Sequence, residues 1–406
     1  MKILVILSAV FFIALVSAQI DRENLNYASQ MVRSENSSDP NPSSSASHSD
    51  SSSSSESDET LADKIKKGLK ILKTKFYSAK NCTLIPPPSL HELHEFFQWT
   101  VTHNKTYGTV AEKFCRTIHL IHNFRENHQH NKLFKLGKAT FKRALNHLSD
   151  LTKREIRTVL MKFAPSTSTR SDPLTALPQA RRSVDWRKEG LVGPVGFQYN
   201  CGNCWAWASA AVLEGQLRKC RISNESVSVQ SMVDCATEYC EGCDGGWPYY
   251  GMKWAIDGGI IPTSKYPYLD GEGYCVDRKQ EAIGFVDTPY VHDFYYGDAE
   301  YIKRIVSSYG PVAVALCVGD DFTHYSSGVF YINNCCTTVN HAISIVGYGS
   351  DPKLGDYWLI KNSWDLSWGQ DGFAKVARGH NLCSIESTVH YAQIKDVKGN
   401  VCRIPK

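Results

Sequence analysis

The sequence has little net charge and contains no recognised nucleic-acid-binding module. Its 406 residues carry a formal charge of +4, divided as +1, +7 and −4 among residues 1–90, 91–178 and 179–406. Nucleic-acid binding requires a basic face that stays free, whereas here a basic section directly precedes an acidic one. We therefore expect these two sections to bind each other. At this length, the chain should form two or three domains.

The apolar run at the start of the sequence is too short to cross a membrane. Residues 1–18 have one early lysine, an apolar run and small residues before Gln19. This pattern predicts a cleaved secretory signal peptide, since a spanning helix needs about 20 apolar residues. The chain then enters an oxidising compartment. Its 14 cysteines should therefore form mainly disulfides rather than metal sites.

Two contrasting segments follow the signal peptide. Residues 19–60 are rich in Ser and acidic side chains and have too few apolar residues to form a core, so we expect a disordered spacer. Residues 61–80 combine apolar residues at helical spacing with many lysines, which indicates a basic amphipathic helix. Such a helix could contact an anionic membrane surface. A solvated helical extension is the favoured interpretation, because charge runs usually face water.

The chemistry centres on the stretch from Gln198 to Trp207, where Cys204 begins an Ala-rich apolar run typical of a buried helix. Unpaired amides and the helix dipole at that end favour negative charge, so the Cys204 thiol should have a lowered pKa and act as a thiolate nucleophile. Candidates for its base and for the group that orients the base lie far downstream, at His341 and Asn362.

These residues, in this order, resemble the papain/cathepsin family of cysteine proteases, closest in style to the cathepsin L group. The motif Val184–Arg187 also opens the mature domain of that family. The resemblance implies an α+β, two-lobed papain-like fold over residues 181–406. Helical patterns dominate up to about residue 290, and short strand-like runs follow from about residue 311, in an antiparallel, barrel-like lobe.

The resemblance extends upstream to an inhibitory propeptide over residues 91–163. Glu112, Arg116, Asn123 and Asn131 match the family's helical propeptide pattern, and residues 144–150 resemble its second motif. Residues 164–180 are polar and Pro-rich, so this linker should contain the maturation cleavage. We expect activation at acid pH, promoted by protonation of propeptide histidines: His91, His94, His103, His119, His122, His128, His130 and His147.

The family roles transfer to individual residues. Cys204 would be the nucleophile, His341 its ion-pair partner, Asn362 the group that orients the imidazole, and Gln198 an oxyanion donor together with the Cys204 N–H. Endopeptidase activity is expected because there is no occluding insertion. A hydrophobic residue should be preferred two positions before the scissile bond. The substrate-binding set implied by resemblance is Gly245, Gly246, Trp247, Pro248, Ala315, Asn340, Ala342, Trp364 and Trp368.

Further family features concern the cysteines and the partners. The disulfides implied by the resemblance are Cys201–Cys243, Cys235–Cys275 and Cys335–Cys383, with Cys336 as the alternative to Cys335 in the third. The resemblance assigns no partner to Cys220, Cys240, Cys317, Cys336 or Cys402, and Cys220–Cys240 is a candidate extra bond. A zinc cluster of Cys235, Cys240 and Cys243 is the weaker alternative in an oxidising compartment. No cofactor or metal is expected. The implied partners are protein substrates, the chain's own propeptide and cystatin-type inhibitors, in the lysosome or the extracellular space.

Two departures from the family pattern leave alternatives open. Tyr199 replaces a usual glycine beside Gln198, and Asn203 replaces a usual serine. If Tyr199 needs a positive φ, the oxyanion loop would be strained and catalysis weakened. The chain could then be a binding protein on a protease scaffold. A third hypothesis treats Cys201 and Cys204 as a thiol–disulfide redox pair.

Overall fold

The computed structural model describes Pro86 and residues 88–162 and 177–403. Residues 90–406 form one compact unit, which follows a first unit of residues 1–89. The predicted signal peptide, Ser-rich spacer, basic helix and most of the linker lie outside the described residues. Among those described, no helix combines the length and apolarity of a membrane span.

The N-terminal part of the second unit is helical. It contains α1 (Leu90–Thr102), α2 (Val110–Lys135) and α3 (Lys153–Ile156), with a short strand β1 (Phe141–Arg143) between α2 and α3. Thr109 caps α2 by accepting the Glu112 amide at 3.1 Å. Its 26 residues are largely polar, so packing and side-chain bonds, rather than an apolar stripe, fix its position.

The polar pattern of α2 binds the segment that follows it. Arg116 makes two 2.7 Å bonds to the Glu155 carboxylate, Asn123 donates to the Ser149 carbonyl at 2.8 Å, and Asn131 bonds both the N–H and C=O of Arg143. Because these side chains lie along one side of α2, their bonds hold the helix against residues 143–155.

A second region is the helical lobe, with α4 (Cys204–Lys219), α5 (Val229–Cys235) and α6 (Pro248–Trp254). Thirteen of the sixteen α4 residues are buried. A helix that is apolar all round lies inside a core. The apolar cluster around α4 includes Trp205, Leu213, Met232 and Met252.

The β lobe carries the remaining strands. These are β2 (Val184–Asp185), β3 (Phe285–Asp293), β4 (Val312–Leu316), β5 (Tyr325–Phe330), β6 (His341–Asp351), β7 (Gly355–Lys361), β8 (Phe373–Ala377) and β9 (Thr388–Lys395). Helices α7 (Ala299–Tyr309) and α8 (Asp320–Thr323) lie between strands. The strand order is β1-β5-β8-β7-β6-β4-β9-β3, and β2 pairs with β6.

The fold class expected from the sequence is confirmed, with one difference in the sheet. The β5–β8 pair is parallel, with Val329 opposite Lys375, whereas the other strand pairs named above are antiparallel. The sequence patterns also did not predict β3, β5, β9 or α7. Strand β1 extends the sheet from the propeptide side by pairing with β5, which brings the propeptide onto the β lobe.

Candidate active site

Cys204 is fully buried at the first residue of α4. Its Sγ accepts the Ala342 amide at 3.3 Å, and Ala342 follows His341 at the start of β6. This contact places the thiol of the helical lobe beside the β-lobe residue pair His341–Ala342. The two lobes therefore meet at these candidate residues.

His341 is fixed from one side. Its Nε2 lies 2.8 Å from Asn362 Oδ1, and Trp364 stacks on the imidazole with ring centroids 4.6 Å apart. Trp364 is 1% exposed, so it keeps water from the His341–Asn362 bond. The pairing of β6 with β7 brings Asn362, which follows β7, next to the start of β6. The other ring nitrogen, Nδ1, is left for the thiol, and among the described residues it has no hydrogen-bond partner.

Gln198 lies in the same buried junction. Its Oε1 accepts the Ser363 hydroxyl at 2.7 Å, and its Nε2 donates to the carbonyls of Cys201 and Val159, each at 2.7 Å. Ser363 is a positioning residue that the sequence analysis missed. Its place directly after Asn362 was the available signal. The Val159 carbonyl belongs to the propeptide and receives the amide donor expected to hold an oxyanion.

The propeptide continues through the cleft after Val159. The Met161 N–H donates to the Asn340 carbonyl at 2.8 Å, and the Lys162 N–H donates to the Asp244 carbonyl at 2.9 Å. The Met161 side chain is 6% exposed and shares an apolar cluster with Trp247, Ala315 and Ala342. Residues 159–162 thus lie against Gln198 and in the expected substrate pocket.

Burial determines the charge state of the site in this form. It raises the pKa of Cys204 to about 12, against the opposing effect of nearby backbone amides, and lowers the pKa of His341 to about 4, against the bond to Asn362. The expected lowered thiol pKa is therefore wrong for the propeptide-covered state. The reason is that desolvation of a charged group outweighs the helix dipole here. The zymogen holds a neutral thiol and a neutral imidazole.

Tyr199 adopts a φ of +50°, a region that favours glycine. Its ring stacks on Phe197 with centroids 3.9 Å apart, and Phe197 in turn receives the edge of His147 from the propeptide at 4.6 Å. The side chain is 45% exposed. The strained conformation anticipated from the sequence is present beside Gln198, and aromatic stacking offsets part of its cost.

The remaining substrate-binding candidates lie in two places, around the start of α6 and in the core of the β lobe. Gly246 is crowded, since an added Cβ would lie 2.7 Å from Cys240 Sγ, and Pro248 begins α6 with its carbonyl accepting the Ser209 hydroxyl. Gly245 has a φ of +140° in the loop before them. Trp368 lies behind Trp364 in the β-lobe core, where its Nε1 donates to the Phe322 carbonyl. It is not grouped with the pocket cluster that contains Trp247.

The structure contains all three disulfides implied by resemblance, Cys201–Cys243, Cys235–Cys275 and Cys335–Cys383. Two further bonds are Cys317–Cys336 and Cys220–Cys402. The Cys220–Cys240 pairing was wrong, because Cys402, next to β9, reaches the end of α4 and bonds Cys220. Cys240 is a free, buried thiol.

These bonds also decide two alternatives. A zinc cluster of Cys235, Cys240 and Cys243 was wrong, because two of the three sulfurs are in different disulfides. Among the described residues, no group of three or more potential ligands could hold a metal ion. The redox pair was also wrong: Cys201 bonds Cys243, and Cys204 is free.

Two protein-family profiles match this chain, one over the propeptide and one over the peptidase domain. A profile of the papain family cysteine proteases matches residues 180–393, and one of the cathepsin propeptide inhibitor domain (I29) matches residues 96–156. The chain belongs to the papain family of cysteine proteases. It is a cysteine peptidase made as a zymogen, and its propeptide acts as an intramolecular inhibitor.

Individual relatives cover most of the chain. A cathepsin L-like peptidase of Aedes aegypti is 33% identical over 79% of this chain and 98% of its own length. Cathepsin K of Mus musculus is 35% identical over 73% and 92%. The solved digestive procathepsin L 3 of Tenebrio molitor larval midgut has a TM-score of 0.69 at 32% identity, covering 75% of this chain and 99% of that chain. The papain-like fold and the cathepsin L-like character follow from these similarities.

Proposed function

We propose that the mature enzyme is an endopeptidase in which Cys204 attacks the scissile carbonyl and His341 carries the proton. The observation that supports this most directly is the buried junction in which Cys204 Sγ accepts the Ala342 amide while Asn362 binds Nε2 of the neighbouring His341. Removal of the propeptide returns water to the site. The burial effect on both pKa values then falls, and the helix dipole and the facing imidazolium favour the thiolate.

The proposed reaction proceeds through an acyl-enzyme. The thiolate adds to the carbonyl carbon, and the oxyanion that forms accepts bonds from Gln198 Nε2 and the Cys204 N–H, each donor being worth about 100- to 1000-fold in rate. The C–N bond then breaks, and His341 protonates the departing amine. Water, deprotonated by His341, releases the acyl group and restores the thiol.

The substrate preference is proposed from the pocket that Met161 fills. Trp247, Ala315 and Ala342 are at most 6% exposed and share an apolar cluster with that side chain. Small alanines opposite a tryptophan leave room for a large apolar group. We therefore propose a hydrophobic or aromatic residue two positions before the scissile bond.

Acid activation is proposed for a narrower set of histidines than the sequence suggested. Burial lowers the pKa of His103 and His119, and lowers that of His147 to about 3 with Lys105 adding to the effect. His147 Nδ1 lies 3.0 Å from Ser367 Oγ of the peptidase domain, and its ring meets Phe197. His91, His94, His122 and His128 are exposed, so release of the propeptide changes their surroundings less. His147 is therefore the main candidate.

The direction of the pH effect follows from linkage. His147 is neutral in the complex and has an ordinary pKa of about 6.5 once released, so the released state binds more protons between about pH 6.5 and 3. The stability that neutral His147 gives the complex is fully present above about pH 6.5 and is lost as the pH falls through that window. The loss is about 2 kcal/mol by pH 5.

Localisation and protein partners remain proposals. We propose passage through the secretory pathway to the lysosome or the extracellular space, supported by the five disulfides described above. Cystatin-type inhibitors are the proposed partners of the mature cleft. Contact of residues 61–80 with a membrane surface stays a prediction for a segment outside the described residues.

One experiment tests class, nucleophile and activation together. The secreted chain is incubated at pH 7 and pH 5 and then treated with a peptidyl epoxide, with Cys204→Ala as the matched control. We expect labelling of Cys204 in a shortened chain at pH 5 and none in the control. A shortened chain that is neither labelled nor active would instead support a binding protein, in which strain at Tyr199 disables the oxyanion site.

A further inference from the structure

A row of small side chains forms one face of the sheet beside the cleft. Ala342 on β6 is paired with Ala315 on β4, and Ala313 on β4 is paired with His390 on β9. Directly paired residues and residues two apart on a strand share a face. Ala342, Ala315, Ala313 and His390 therefore lie on one face, and Thr388, two residues before His390, lies there too.

Trp247 and the propeptide cover this face. Trp247 meets the His390 ring edge to face, with centroids 5.1 Å apart at 90°. The propeptide residue Met161 belongs to the same apolar cluster as Trp247, Ala313, Ala315 and Ala342. Met161 thus shares its apolar surroundings with these alanines and with Trp247, and His390 lies at the end of the alanine row, against Trp247.

His390 and Thr388 are the polar residues at this end of the row. It is fully buried, and its Nε2 lies 3.3 Å from Thr388 Oγ1. Its Nδ1 has no hydrogen-bond partner among the described residues. Burial lowers the pKa of the ring to about 3, with a smaller effect of His292, so the ring is neutral at the pH of use. An unpaired buried nitrogen costs free energy, and the Met161 thioether, a weak acceptor, does not remove that cost.

We propose that His390 is a specificity-determining residue that selects tyrosine two positions before the scissile bond, through a hydrogen bond between the tyrosine hydroxyl and Nδ1. This rests on the proposed peptidase function and refines its apolar preference. A flat ring fits between Trp247 and the alanines. A hydroxyl both donates and accepts, so it satisfies either tautomer of His390. A charged tip would have to be desolvated at the buried floor.

The first test compares two peptide substrates that differ only in Tyr or Phe at that position. The full secreted chain, matured at acid pH, should cleave the Tyr peptide with about five- to tenfold higher kcat/KM, the value of one satisfied buried hydrogen bond. His390→Phe should reduce this ratio to one or below, while His390→Gln, which keeps a polar tip, should retain part of it. His380→Phe, an exposed histidine elsewhere, is the matched control and should keep the full ratio. Equal cleavage of both peptides by the unmodified enzyme would overturn the proposal.

The second test needs no catalysis. In the unprocessed chain carrying Cys204→Ala, Met161→Tyr and Met161→Phe place the two rings in the same pocket. We expect the thermal midpoint of the Tyr variant to be about 2 °C higher, and this difference to vanish when His390→Phe is added. A Phe variant at least as stable as the Tyr variant would overturn the proposal. If neither peptide is cleaved, the endopeptidase function fails, and this second comparison still decides the role of His390.

Discussion

The propeptide holds the enzyme at two places whose chemistry differs. Upstream, residues 105–155 bind the peptidase domain through polar side chains: Arg143 to Asp321, Asn146 to the Thr323 carbonyl and His147 to Ser367, at 2.7–3.2 Å. The bonds from Arg116 to Glu155 hold this part of the propeptide together. Downstream, residues 159–162 lie in the cleft through backbone hydrogen bonds and the buried Met161 side chain. We call these two regions the anchor and the cleft strand.

The difference indicates that the two regions have separate roles, one in blocking the site and one in recognising the enzyme. Backbone bonds and an apolar pocket accept many sequences, so the cleft strand blocks the site as a substrate-like peptide would. The anchor contacts the enzyme through particular side chains, such as Arg143 and Asn146, so we expect it to supply the specificity of the propeptide for its own enzyme. Strand β1, paired with β5, connects the anchor to the β lobe. The rate at which a peptidyl epoxide labels Cys204 in the unprocessed chain at pH 7 measures how well both regions hold.

The largest effect is expected from Met161→Ala. Truncating a buried methionine costs about 3 kcal/mol, so the cleft should open more often and labelling should be about 100-fold faster. Val110→Ala, at an exposed α2 position, is the control and should change nothing measurable. A rate unchanged by Met161→Ala would mean that the pocket contributes nothing to inhibition.

Arg116→Met should have the next largest effect. It removes both bonds to Glu155 and the 3.2 Å bond to the Asp150 carbonyl, which together contribute about 2 kcal/mol. If anchor and cleft strand act as one cooperative unit, labelling should be about 30-fold faster. An unchanged rate with a lowered thermal midpoint would show that the anchor opens independently of the cleft.

His147→Phe should change the pH dependence rather than the rate at pH 7. Phenylalanine keeps the ring contact with Phe197 but does not titrate, so the midpoint of acid processing should move down by about half a pH unit or more. His128→Phe, at an exposed position, should leave the midpoint in place. Identical midpoints in the wild-type chain and His147→Phe would remove His147 from the mechanism and leave His103 and His119.

The smallest effect is expected from Lys162→Ala. Lys162 pairs with Asp244, but the two side chains are 55% and 56% exposed. Exposed pairs contribute less than about 1 kcal/mol and are screened by salt. Labelling should therefore change about twofold or less, and the difference should disappear in high salt. A tenfold effect would show that charge, not burial, holds the cleft strand.

The sequence predicted the local features of this protein well. The Ala-rich run after Cys204 folds as the buried helix α4, and the polar spacing from Glu112 to Asn131 lies on the single helix α2. Strands β4, β6, β7 and β8 fall where short apolar runs were found. Strands β3, β5 and β9 were missed. Residues of β3 and β5 alternate irregularly between buried and partly exposed positions, and β9 buries two polar residues, Thr388 and His390, within its run.

In the site, too, the sequence indicated the residues in local motifs but not those brought in by contacts distant in sequence. Motif order gave Cys204, His341, Asn362 and Gln198 as candidates, but not Ser363, which donates to Gln198, nor His390, which strand pairing places opposite Ala313. The pairing of Cys220 with Cys402 also depends on a contact across 182 residues. Spacing along the chain carries no information about such partners.

The sequence by itself determined which residues could perform the chemistry and where several helices and strands lie, because these depend on neighbours within one or two turns. Only the tertiary structure decided the protonation states of Cys204 and His341. The same helix start that favours a thiolate in water holds a neutral thiol beneath the propeptide, because burial raises the free energy of a charge more than the helix dipole lowers it.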